Sequence, residues 1–75
     1  MKIHNYTVVI APDEDGGSVV TCPALPGLIT EGDSLAEARE MAAEAIVGYL
    51  ESLAIDGMIA PLDVAVVKPV SVQVA

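Results

Sequence analysis

Residues 33–57 read DSLAEAREMAAEAIVGYLESLAIDG, and this stretch decides the architecture. Ser34 and Glu37 have the spacing of a capping box, in which the hydroxyl accepts from the N–H three residues on and the glutamate reaches back. Asp33, just ahead, favours the positive end of the helix dipole. The spacing predicts a helix running to about Leu53 or a few residues beyond. Gly57 is the expected stop residue, with Pro61 past the end. At about 100° per residue, Leu35, Ala42, Ile46, Tyr49 and Leu53 share one face, flanked by Ala38, Ala45 and Leu50. Glu37, Glu40, Glu44 and Glu51 all point within roughly 40° of the opposite direction. A helix with one apolar stripe and one acidic ridge lies on a sheet.

Outward from the helix, the sheet can be read on both sides. Upstream, Ile3 to Ile10 alternates as a strand: His4, Tyr6, Val8 and Ile10 fall on one face, Asn5, Thr7 and Val9 on the other. Asp13-Glu14-Asp15-Gly16-Gly17 is a hairpin turn whose glycines can take positive φ. Ser18 to Cys22 is a second strand. Pro23-Ala24-Leu25-Pro26-Gly27 cannot sit in a central ladder, because both prolines lack a donor N–H, and Pro26-Gly27 suits a tight turn. Leu28 to Thr30 is a short third strand. Downstream, Asp56 to Asp63 connects to a last strand, begun by Val64 to Val67 and continued by Val70, Val72 and Val74 alternating with Ser71 and Gln73. The expectation is one α+β domain over residues 1–75, two layers in the order β-β-β-α-β, with one helix packed on a small sheet.

Composition narrows the function. Among 75 residues Tyr6 and Tyr49 are the only aromatics, so the core is built from Val, Ile, Leu and Ala and is thin. Self-association, as a dimer or higher oligomer, is expected to supply part of the stability and to cover the edge strands. The net charge of −8 repels nucleic acid phosphates and anionic membranes and attracts basic partners. Direct binding of nucleic acid or membrane is therefore not expected. Cys22 is the lone cysteine, which forms no disulfide framework and fits a reducing cytoplasm. No signal peptide is recognisable, and the valine-rich run from Val64 to Val74 is too short and too broken to span a bilayer.

Chemistry-bearing residues are few. His4 lacks a recognisable nucleophile motif to serve and reads as a strand-edge histidine. Cys22 has no cationic neighbour in sequence and reads as a small buried or half-buried strand residue. Asp13-Glu14-Asp15-Gly16-Gly17 lacks the ligand spacing of a calcium loop. The glycines make no phosphate loop. No catalytic residue, cofactor or metal site is expected. The glutamate ridge carries functional weight, because like charges at i,i+3 and i,i+4 cost a helix a few tenths of a kcal/mol per pair, about 0.2–0.5. Glu37, Glu40, Glu44 and Glu51 are thus candidate contacts for a basic protein, set against their reading as a solvated outer face. Leu25, held between two prolines, is a candidate preordered anchor, set against its reading as part of a rigid connection.

The order of motifs resembles the HicB-type antitoxins and the short HicB-like proteins grouped with them. It is carried by the acidic hairpin, Pro23-Ala24-Leu25-Pro26-Gly27, Thr30-Glu31-Gly32-Asp33-Ser34, Leu35-Ala36-Glu37-Ala38, Ala42-Ala43-Glu44-Ala45 and the Gly57…Pro61 exit. The resemblance implies a partial RNase H-like β-β-β-α-β fold without catalytic activity. It implies as partner a small basic HicA-type toxin, an mRNA-cleaving ribonuclease whose active surface the antitoxin covers. There are two departures. Leu28 stands where many relatives carry a cysteine, and the residues to Ala75 leave no room for the helix-turn-helix or ribbon-helix-helix module that many relatives use on their operator. The expected function is neutralisation of such a toxin by occlusion in the cytoplasm. The alternative is a solitary oligomeric adaptor or ligand-binding domain.

Overall fold

Asp13 and Gly17 close the first hairpin: the Gly17 carbonyl accepts from the Asp13 N–H at 2.8 Å, and the Asp13 carbonyl accepts from the Gly16 N–H at 3.1 Å. Gly16 takes φ +94°, a conformation that L side chains resist. The computed structural model describes residues 3–63 and 66–75. It contains β1 (Val9–Pro12), β2 (Ser18–Thr21), β3 (Ile29–Gly32) and α1 (Leu35–Ile55), an α+β fold with one helix on a small antiparallel meander ordered β1-β2-β3.

The first strand is shorter than its alternation predicts. The ladder runs from Val9↔Thr21 to Pro12↔Ser18, and residues 3–8 lie outside it. The cause lies on the partner: β2 ends at Thr21, and Pro23, which has no N–H, follows at once. Tyr6, Val8 and Ile10 nonetheless face the core as the alternation requires.

Two turns fold the Pro23–Gly27 segment back on itself. The Leu25 N–H donates to the Cys22 carbonyl at 3.0 Å, and the Leu28 N–H to the Leu25 carbonyl at 3.1 Å. Pro26 and Gly27, the latter at φ +85°, occupy the central positions of the second turn, the arrangement of a type II turn. The Tyr49 hydroxyl donates to the Pro26 carbonyl at 2.9 Å, pinning the loop to α1.

The helix begins and ends where the sequence predicts. Ser34 Oγ accepts from the Glu37 N–H at 3.1 Å, while Glu37 Oε1 reaches back to the Asp33 N–H, one residue ahead of the cap, at 3.1 Å. At the other end the Gly57 N–H donates to the Ala54 carbonyl and the Met58 N–H to the Leu53 carbonyl, with Gly57 at φ +71°. This is a Schellman stop. Leu35, placed on the apolar stripe, is instead 62% exposed. The first turn meets the sheet through backbone: a Cβ on Gly32 would lie 2.5 Å from the Ala38 nitrogen, so β3 and α1 approach as closely as only glycine permits. Two small clusters make the core, Val20 with Ala38 and Ala42, and Cys22 with Leu25 and Leu28.

After α1 the chain returns to the segment preceding β1. The Tyr6 hydroxyl donates to the Pro61 carbonyl, and Asp63 Oδ2 accepts from the Thr7 N–H at 2.9 Å and the Thr7 hydroxyl at 2.7 Å. The last strand predicted beyond this seam does not form among the described residues. Val66, Val67, Val70, Val72 and Val74 are 74–84% exposed and in no ladder. Alternation supplies strand propensity, but a strand needs an edge to pair with, and here residues 66–75 lie against none of their own. Val64 falls outside the described residues.

Candidate functional site

The outer face of α1 gathers the four glutamates. Glu37, Glu40, Glu44 and Glu51 are all exposed, opposite buried Ala38 and Ala42. The arrangement follows from the helical period, since residues separated by three or four positions stack on one side. Glu37 is also engaged locally, through its bond to the Asp33 N–H, so Glu40, Glu44 and Glu51 are the members without a capping duty. Between the latter two lies a shallow depression floored by Ala43, Val47 and Gly48. Val47 is 54% exposed. Val47 and Gly48 were not legible as site residues, because neither sits on the acidic ridge nor on the apolar stripe. The usable signal was a valine and a glycine beside the glutamates, where a solvated face would carry polar side chains. A small-residue floor with acidic walls suits a protrusion bearing Lys or Arg.

Leu25 requires correction as a partner contact. It is completely buried and packs with Cys22 and Leu28, against Tyr6, Ala45, Ile46 and Tyr49. The two consecutive turns aim the side chain inward, so the prolines serve the core and leave no anchor on the surface. Cys22 is buried, as its place in the strand pattern predicts. His4 is exposed and stacks on Tyr6, with ring centroids 6.3 Å apart and planes 11° from parallel. The acidic hairpin tip is exposed at Glu14 and Asp15. Among the described residues, no group of three or more His, Cys, Asp or Glu side chains is placed to hold a metal ion, and no helix is long and apolar enough to cross a membrane.

Fold and face together define a class: a small α+β domain, one helix on a three-stranded meander, whose uncovered helical side is acidic. The family profile described as "HicB_like antitoxin of bacterial toxin-antitoxin system" matches residues 6–73. A UPF0150 protein of Synechocystis is 40% identical over 73 residues, covering 97% of this chain and 92% of the relative. A UPF0150 protein of Thermoplasma acidophilum is 54% identical over 48 residues, 64% of this chain and 70% of the relative. A protein named Antitoxin HicB 1, of Photorhabdus laumondii, is 39% identical over 51 residues, 68% of this chain but 33% of that longer protein. The chain belongs to the HicB-like antitoxin family.

Proposed function

We propose that the chain neutralises a small basic HicA-type ribonuclease by covering its active surface, with Glu40, Glu44 and Glu51 of α1 carrying the charge contact. The observation behind this reading is the exposed, single-signed ridge, on a chain with 11 acidic and 3 basic residues. Membership of an antitoxin family supports it. A basic surface evolved to grip RNA phosphates presents the opposite charge, which speeds encounter and disfavours acidic partners. Occupying that surface denies it to mRNA and requires no catalysis by the antitoxin.

Calorimetric titration with a catalytically inactive HicA-type toxin tests this. Expected is binding that weakens as salt rises, and about a tenfold or greater loss of affinity in the E40K/E44K/E51K variant with its helix intact. Absence of binding, or binding that the triple reversal leaves unchanged, overturns the reading. A second reading is an oligomeric adaptor without a toxin partner. A chain that binds no HicA-type toxin, yet retrieves a different protein through the same glutamates, would establish it.

A further inference from the structure

Residues 66–75 form an arm that contributes nothing to its own domain. Its valines are 74–84% exposed, and the radius of gyration, 14.6 Å, exceeds the roughly 11 Å of a compact chain this long. Val66, Val70, Val72 and Val74, with Lys68 between the first two, nevertheless share one side of an extended chain, close to the pattern of a half-buried strand. The matching vacancy lies at β1. That strand pairs only with β2 among the described residues, so its other edge is open. Beside it, between residues 4–8 and α1, runs a groove whose apolar lining is Tyr6, Val8, Ala42, Ala43, Ile46 and Val47, with His4, Asn5 and Arg39 also on its wall.

Charge agrees with the arm as the occupant. All 11 carboxylate side chains lie at or before Asp63, with Lys2 and Arg39, giving that part −9; residues 64–75 carry Lys68 alone, +1, and the two sum to the chain's −8. The arm is thus, like residues 1–12 with Lys2, a stretch of positive side-chain charge that an acidic domain attracts. We propose that residues 66–74 of one copy add as a strand to the open β1 edge of a second copy, seating the alternate valines in its groove, with the exchange made reciprocally. Each arm then satisfies backbone groups that are unpaired at the edge, and covers apolar surface that a core with only six buried hydrophobic residues among those described leaves exposed. The inference uses none of the four glutamates, although Ala43 and Val47 belong both to this groove and to the depression between Glu44 and Glu51.

Sedimentation of the full chain and of V70D/V72D at micromolar concentration tests it. The unaltered chain is expected to be dimeric. V70D/V72D is expected to dissociate about 100-fold or more readily, because an unpaired charge is costly to bury, with unchanged helical circular dichroism, since neither valine supports its own domain. In a sample mixing isotope-labelled and unlabelled chains, methyl contacts between the arm valines and Ala42, Ala43 or Val47 should join different chains. A monomeric unaltered chain, an oligomer that survives V70D/V72D, or methyl contacts confined within one chain each overturn the proposal.

Discussion

Gly32 is the residue on which the two layers close. A side chain there would collide with the backbone of Glu37 and Ala38, and backbone does not swing aside as a flexible side chain does. Gly32→Ala should destabilise the domain by about 1–3 kcal/mol or more, read as a lower midpoint in urea, whereas Gly48→Ala, with open space at its Cβ, should be neutral or slightly stabilising. A midpoint for Gly32→Ala equal to that of the unaltered chain would refute the close-approach argument. Sequence made little of Gly32, which reads as one more loop residue before a cap. Its reason is a contact between elements, and no local pattern encodes such a contact. Leu25 teaches the same lesson in reverse. Its flanking prolines identify a rigid turn correctly, but whether that turn aims a side chain outward or inward depends on Tyr49 and the helix above it.

At the scale of elements, α1 was the most legible part, because both of its ends are written in local chemistry. Ser34→Ala should cost about 1 kcal/mol, read in the same urea midpoint and in fraying of the first helical turn. A loss confined to a tenth of that would mean that the Gly32 contact alone holds the helix start. Strand boundaries were less legible. Alternation from Ile3 to Ile10 reports correctly which side chains face inward, but the length of a ladder belongs to the pair, and β2 runs out at Thr21. The final strand failed for a related reason: valine alternation at residues 70–74 records what the segment can do, and here the segment pairs with neither open edge of the sheet. The acidic ridge was legible through periodicity, whereas its floor at Ala43, Val47 and Gly48 required the packed helix to be seen.

For the molecule as a whole, consecutive elements are also neighbours, from β1 to β2 to β3 to α1. Short connections of this kind are quickly closed. The seam between Tyr6–Thr7 and Pro61–Asp63 is different, since it joins positions 55 and 56 apart. It rests on three hydrogen bonds, with no strand ladder beneath it. The Thr7 amide should therefore exchange with solvent deuterium by local opening, faster than the amide of Val20, which sits at 0% exposure in the central strand. Equal protection of the two would make the seam part of the same cooperative unit as the sheet.

That seam sets a schedule for the newborn polypeptide. The meander and helix can settle as they emerge from the ribosome, but Tyr6 and Thr7 must wait until Asp63 has been synthesised and has cleared the exit tunnel. Residues 66–75 are made after Asp63, so they can meet the edge of a neighbouring chain only once the meander and helix have been synthesised.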